Sequence, residues 1–267
     1  MKVNKKVVVV TGAGSGMGRE LTLELVRRGA SVAAIDMRKE TLAETKALAT
    51  ALGGRVETFL VDITDPIKVA KLPAEITKKL GAADGLINNA GIIQPFVKIN
   101  ELKIEDAAHV MNVNFTGPLM LVKAFLPGLL KRSEAHILNV SSMGAYAPVP
   151  GQSVYGASKA ALKLFTEGLR SELLDTYVGV TIVFPGAIAT NIAQNSGMAL
   201  PANADEAASQ FKQTDAGVAA KAMVDAIEEN KPRITIGSDA TLMDRLSRLN
   251  PIFAANLIYK QMKSLLG

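Results

Sequence analysis

The sequence predicts an α/β fold, a doubly wound parallel sheet of seven strands flanked by helices. Two observations predict it. Short β-branched runs alternate with longer stretches of helical periodicity. Several of the short runs are apolar throughout, as expected of parallel strands covered on both faces. Strands joined by right-handed crossover helices then build an open sheet with helices on each side.

In chain order the strands are Val7–Val10, Ser31–Ile35, Val56–Val61, Gly85–Ile87, His136–Val140, Val180–Phe184 and Arg233–Ile236. Helical periodicity falls near 17–29, 39–52, 66–80, 101–131, 153–177 and 215–230. The stretch 185–213, which holds Pro185, Gly186, Gly197 and Pro201, is irregular. An irregular segment of that length inside a compact domain is usually a lid or binding loop. No repeat, low-complexity tract or linker divides the 267 residues, so 1–267 reads as one domain with a helical extension over about 240–267. In that extension Asn250-Pro251 has the form of an N-cap and first-turn proline, followed by Ile252, Phe253, Leu257, Ile258, Met262, Leu265 and Leu266. Packing on its own domain or a sister subunit is the preferred reading; a lid comes second and attachment to a membrane surface third.

Composition removes several function classes. With 48% hydrophobic and 21% charged residues the chain can bury a full core. The absence of cysteine excludes disulfides, thiolate metal sites and Cys nucleophiles. Two histidines, His109 and His136, are too few for a His-rich metal centre and both read as structural, so no metal is expected. The net charge of +5 is spread among acidic residues, and without Trp there is little to stack bases on, so no nucleic-acid partner is expected. The start is too short for a signal peptide and no apolar run is long enough to span a bilayer, which predicts a soluble, cytoplasmic protein.

The first strand runs into Thr11-Gly12-Ala13-Gly14-Ser15-Gly16-Met17-Gly18 and then a helix. Glycines admit a pyrophosphate close to the backbone, and the helix N-terminus turns free N–H groups toward it. The spacing is Gly12-x-x-x-Gly16-x-Gly18, not G-x-G-x-x-G, and a glycine-rich turn alone is equally an ordinary strand–helix connection. Asp36 ends the second strand, where a carboxylate accepts hydrogen bonds from both ribose hydroxyls of an adenosine. It would repel a 2′-phosphate by roughly 4 kcal/mol at about 4 Å and an effective dielectric near 20. NAD is therefore favoured over NADP, with Arg38 and Lys39 offsetting part of that repulsion. Asp62 and the stretch Asn88-Asn89-Ala90-Gly91 end the next two strands on the same carboxyl edge, where open α/β sheets bind ligands.

The fifth strand closes on Ser141-Ser142, and Tyr155-Gly156-Ala157-Ser158-Lys159 follows on a helix. Residues i and i+4 share a helical face, so Tyr155 and Lys159 point to one place. A tyrosine titrates near 10, and an ammonium about 4 Å away would lower that by about three units, toward a working general base. Ser142 would hold the substrate oxygen.

Over about residues 5–240 the sequence resembles the classical short-chain dehydrogenase/reductase family. The motifs are Thr11–Gly18, Asp62, Asn88–Gly91, Asn114 in Met111-Asn112-Val113-Asn114, Ser142, Tyr155–Lys159 and Pro185-Gly186-Ala187-Ile188-Ala189-Thr190. The resemblance implies a Rossmann fold and a catalytic tetrad of Asn114, Ser142, Tyr155 and Lys159. It implies that Asn114 holds a water linking Lys159 to solvent and that Lys159 binds the nicotinamide ribose. The cofactor would be contacted along Gly12, Ser15, Gly16, Met17 and Gly18. Thr190 and the Ile188 backbone, within Pro185–Thr190, would anchor the carboxamide. Asp62 and Ile63 would meet the adenine, Asn88 the adenosine ribose, and Asp36 matches the NAD-preferring branch. Met17 stands where isoleucine is more usual, and Ser15 is not basic, which again disfavours NADP. A homo-tetramer or homo-dimer built on 101–131 and 153–177 is also implied.

Nearness to these motifs places Ile93, Gln94, Met143, Gly144, Gln152, Ala187, Ile192 and Met198 around the substrate. None is charged, which favours a hydrophobic secondary alcohol or its ketone. The expected activity is hydride transfer between NAD and that carbinol carbon, with Tyr155 as general acid/base. The alternatives are an NADPH-dependent 3-oxoacyl thioester reductase and, outside enzymes, a nicotinamide-sensing binding protein.

Overall fold

A computed structural model describes residues 1–190, 192–196 and 213–263. The strands are β1 Val7–Thr11, β2 Ser31–Asp36, β3 Val56–Leu60, β4 Gly85–Asn88, β5 Ala135–Val140, β6 Val178–Pro185 and β7 Arg233–Ile236. They form one seven-stranded sheet in the order β3-β2-β1-β4-β5-β6-β7. Every pairing is parallel, with Val9 opposite Ala33 on one side and Leu86 on the other. The predicted fold class is the one observed.

β1 shows how the pattern folds. Side chains alternate across a strand, so Val8 and Val10 enter one core with Leu21, Leu25, Met223 and Ile227. Val7 and Val9 enter the other with Leu72, Ile76, Leu121, Phe125 and Ile137. The four-valine run is thus buried twice over, and its lack of polar alternation follows from that. The first core is covered by α1 (Gly16–Arg27) and α8 (Ala216–Glu228), the second by α3 (Pro66–Leu80), α5 (Gly117–Leu129) and α6 (Ser153–Glu172). The chain reverses its direction of travel between β1 and β4, and the site lies over that point.

Two differences from the sequence reading bear on function. The predicted helix 101–131 is broken into α4 (Ile104–Met111), a π-helical turn Asn112–Thr116, and α5. Pro118 has no N–H, so the Asn114 carbonyl loses its usual i+4 donor, and Gly117 N–H bonds Asn112 O in the wider pattern. The second difference is that the predicted helical extension over about 240–267 is two helices, with α9 (Ser238–Leu249) ahead of α10 (Pro251–Met262). The signal of α9 was Leu242, Met243, Leu246 and Leu249 at helical spacing behind Gly237. The Asn250 side chain caps α10 by accepting from Phe253 N–H at 3.0 Å, with Pro251 at the first position. Leu265 and Leu266 lie outside the described residues.

Candidate active site

The glycine turn is held open by backbone geometry. Gly12 and Gly16 have φ of 66° and 51°, where a side chain is strained. A Cβ on Gly12 would stand 3.0 Å from Ala90 Cα, and one on Gly18 would run into the Gly12 carbonyl oxygen. Thr11 Oγ1 accepts from Asn89 N–H and Ala90 N–H at 3.0 and 3.1 Å, tying the ends of β1 and β4 together. Beside them opens a cavity of about 390 Å³. Gly12, Ser15, Gly16, Met17, Asp36, Asp62, Ile63, Gly91, Thr190 and Ile192 line it. These are backbone, carboxylate and small apolar surfaces, the chemistry a dinucleotide needs.

Not every residue expected at the cofactor reaches this cavity. Gly18 serves the close packing of α1 on β1. Asn88 is buried with its amide donating to Asn139 Oδ1 at 2.8 Å; its neighbours Asn89, Ala90, Gly91 and Ile92 form the wall. Pro185, Gly186 and Ile188 lie behind the cavity. Gly186 N–H bonds Ile236 O, and Ile188 bridges Thr214. Asp239 of α9 accepts from Ala187 N–H at 2.7 Å and so pins this stretch, a role the sequence reading missed. It also missed His109, which lines the cavity instead of serving the core.

Asp36 is buried. Its Oδ2 accepts from Gly14 N–H at 2.9 Å and its Oδ1 from Arg38 N–H at 3.1 Å. The Arg38 guanidinium sits 3.7 Å from Oδ1, donates to Ser15 Oγ at 3.0 Å and reaches Asn195 Oδ1. A cation therefore stands against Ser15 although Ser15 itself is not basic.

The chemical end is assembled from three elements. Ser142, just past the end of β5, accepts from Gly144 N–H at 3.0 Å, and its Oγ and the Tyr155 ring both lie against Gly144. Lys159 is one helical turn along α6, its Nζ donating to Val140 O at 3.0 Å and standing 6.0 Å from the Tyr155 ring centre. Asn114 in the π turn is fully buried. Its Oδ1 accepts from Ile92 N–H at 2.9 Å, and its amide donates to Ile92 O at 2.9 Å and Ser158 Oγ at 3.0 Å. Gly91 is the contact between the two ends, since a Cβ there would stand 3.0 Å from Lys159 Nζ and 3.2 Å from Asn114 Oδ1.

The electrostatics correct one expectation. Burial raises the Tyr155 pKa above its usual value, and the nearby Ser142 hydroxyl only partly opposes this. Lys159 does not bring the tyrosine toward neutrality here, because its ammonium is turned to the Val140 carbonyl. Burial instead lowers Lys159 itself to about 8.

The expected substrate wall also changes. Gln94 and Gln152 are buried and bonded to each other's segment. Gln94 Oε1 accepts from Val154 N–H at 2.7 Å and Tyr155 N–H at 3.0 Å, its Nε2 donates to Gly151 O at 2.8 Å, and its own carbonyl accepts from Gln152 Nε2 at 2.8 Å. Gln94 is thus the cap of α6, supplied from 60 residues away in place of a local one. Ile93 is buried, its N–H bonded to Ser196 Oγ at 3.1 Å. Met143 packs against the cluster of Ala147, Met243, Ala254 and Ile258. Gly144 lies beside the Tyr155 ring, and Ile192 lines the cavity. Met198 falls outside the described residues. Among the described residues no helix is long and apolar enough to cross a membrane.

Comparison with known proteins bears on the family and the fold. Residues 6–200 match the model of the short chain dehydrogenase family. SadH of Mycobacterium tuberculosis is 35% identical over 250 residues, covering 91% of this chain and 90% of SadH. A short chain dehydrogenase/reductase from Burkholderia phymatum, solved in complex with NAD, superposes with a TM-score of 0.84 at 26% identity, covering 94% of this chain and 98% of its own. A short chain dehydrogenase from Burkholderia cenocepacia, solved in complex with NADP, gives 0.81 at 29% identity, covering 97% and 99%. The chain belongs to the classical short-chain dehydrogenase/reductase family of oxidoreductases.

Proposed function

We propose that this oxidoreductase interconverts a hydrophobic secondary alcohol and its ketone with NAD(H), using Tyr155 as the general acid/base. The observation that carries the proposal is Ser142 Oγ and the Tyr155 ring set together against Gly144, with Lys159 one turn away, joined through Gly91 to a cavity of dinucleotide chemistry. Gly12, Ser15, Gly16 and Met17 would receive the pyrophosphate, Asp36 the adenosine ribose, and Asp62 and Ile63 the adenine. Bound there, a nicotinamide supplies the hydride or accepts it. Ser142 Oγ orients the substrate oxygen, and Tyr155 exchanges the proton at that oxygen. With its pKa raised, Tyr155 holds its proton in the ligand-free protein and is set to donate it to a developing alkoxide. Lys159 holds the ammonium close to that exchange. The Asn114 carbonyl, robbed of its helical donor by Pro118, is an acceptor for a relaying water. Tyr155→Phe is expected to abolish turnover of a panel of secondary alcohols and ketones, with the cofactor dissociation constant held within about twofold. Turnover surviving in that variant would remove Tyr155 from the reaction.

A second reading of the cofactor rests on Arg38. Its guanidinium against Ser15 Oγ is placed to receive a 2′-phosphate, which Asp36 opposes. NADH is expected to bind more tightly than NADPH in the wild type. Tighter NADPH binding, lost in Arg38→Ala, would favour the second reading. We also infer self-association through α4 and α6, on the support of their exposed Ile104 and Leu164. Sedimentation equilibrium tests it, and a monomer at micromolar concentration would exclude it.

A further inference from the structure

α10 is apolar on more faces than its own fold uses. Ala254 and Ile258 are buried, and with Leu257 and Met262 they pack on Met243, Tyr146 and Met143. That accounts for the inner face. On the outside, the corner between α9 and α10 is exposed over six consecutive residues, Arg248 to Phe253. Leu249 is 84% exposed, Ile252 74%, Phe253 54% and, two turns along α10, Tyr259 54%. Large apolar side chains grouped in this way, without covering contacts among the described residues, mark an interaction face.

Charge selects the occupant. After Asp244 the sequence contains no acidic residue, and it contains Arg245, Arg248, Lys260 and Lys263. Arg245, Lys260 and Lys263 are exposed on the same two helices as the apolar corner. Such a face meeting its own copy across a two-fold axis would set cation against cation. An anionic lipid surface satisfies both features at once, since aliphatic and aromatic tips enter the headgroup boundary while Arg and Lys meet the phosphates. We propose that the α9–α10 corner docks this protein onto anionic membrane surfaces, with Leu249, Ile252 and Phe253 inserted. The inner face of the same helix supports Met143, next to Ser142, so docking would bring the chemical end close to the lipid. A substrate partitioned into the bilayer would then have a short path to the site.

The test is co-sedimentation of the full chain with large unilamellar vesicles. One set is phosphatidylcholine alone, and the other carries about 30 mol% phosphatidylglycerol. Partitioning into the anionic set is expected to exceed that into the neutral set by about tenfold, and to weaken as salt is raised. Ile252→Ser with Phe253→Ser should reduce it by about tenfold. Arg245→Gln with Lys260→Gln and Lys263→Gln should erase the preference for the anionic set. All five residues are exposed, so the variants are expected to keep the wild-type melting temperature, and the charge set serves if the apolar set does not fold. No sedimentation with anionic vesicles, or equal sedimentation with both sets, overturns the proposal. A fall in oligomeric mass of the Ile252/Phe253 variant without vesicles would give the face to a second copy of the chain and overturn it as well.

Discussion

Replacing Gln94 by alanine isolates the device that positions Tyr155. The side chain is buried and makes three hydrogen bonds, two of them from the first N–H groups of α6. Losing an N-terminal cap costs about 0.5–2 kcal/mol. Here two donors and the Gly151 carbonyl lose partners together, and each buried group left unpaired costs about 1–3 kcal/mol. Water entering the vacated space satisfies part of this, so the net destabilisation is expected to be about 2–3 kcal/mol. For a chain of this size that lowers the melting temperature by roughly 4–12 °C. The same loss loosens the backbone of Tyr155 itself, whose N–H is one of the two donors. A displacement near 1 Å at a reacting group costs up to about 100-fold, so kcat should fall about 10- to 100-fold. The glycine cradle is untouched, and the cofactor dissociation constant should stay within about twofold. Gln94→Glu keeps the acceptor for both N–H groups and adds a charge favoured at a helix N-terminus, but it turns a second acceptor toward the Gly151 carbonyl, so it should recover only part of the kcat. Thermal melts and steady-state rates with any ketone that the wild type turns over supply the readouts. Gln94→Ala with wild-type melting temperature and kcat would refute the capping role, whereas activity in Tyr155→Phe would refute the role of the tyrosine.

Other perturbations reach different parts of the site. Gly91→Ala places a methyl 3.0 Å from Lys159 Nζ, and overpacking of about 1–3 kcal/mol should displace the ammonium and lower kcat about tenfold or more; an unchanged kcat would show that the ammonium can give way at no cost. Burial lowers Lys159 to about 8, so kcat/KM should decline above about pH 8 as the ammonium is lost, and a flat profile to pH 9.5 would separate Lys159 from the rate. His136 is lowered from 6.5 to about 3 by burial and, secondarily, by the Met1 ammonium. Its folded pKa lies below its unfolded one, so stability is complete above about pH 6.5 and is lost toward pH 3 at up to about 1.4 kcal/mol per pH unit. Urea midpoints of wild type and His136→Asn, measured from pH 7 to 4, should converge as the pH falls; parallel curves would exclude His136 as a source of the slope.

Most of the fold was legible because parallel strands covered on both faces leave a strong mark. Val7–Val10 has no polar residue to interrupt it, and the two cores it enters account for each valine. The breaks were harder to read. Pro118 stands at the second position of α5 and marks a helix start as readily as it marks the donor missing above Asn114, and periodicity runs on either side of it. The extension over about 240–267 was legible as helical and Asn250-Pro251 marked where α10 starts, but α9 ahead of it was not separated because it sits directly behind the last strand. Helix existence follows from local pattern, whereas the π turn depends on one missing hydrogen bond that no periodicity records.

The site divides in the same way. Ser142, Tyr155 and Lys159 were legible because one strand end and one helix face, both local features, bring them together. Gln94 was misread because nearness in sequence to Gly91 says nothing about which way an amide turns. An uncapped helix start at Gln152–Val154 is the clue, since buried N–H groups need an acceptor from somewhere. The pKa of Tyr155 was misjudged for a related reason. Spacing fixes that Lys159 shares its helix face, but the competing acceptor, Val140 O, comes from β5 and takes the ammonium first. Charge pairing inferred from i, i+4 spacing therefore holds only where no third element offers a better partner, and at the carboxyl edge of a parallel sheet the free strand-end carbonyls are such partners. The nicotinamide ribose expected at Lys159 would have to compete with that carbonyl for the ammonium.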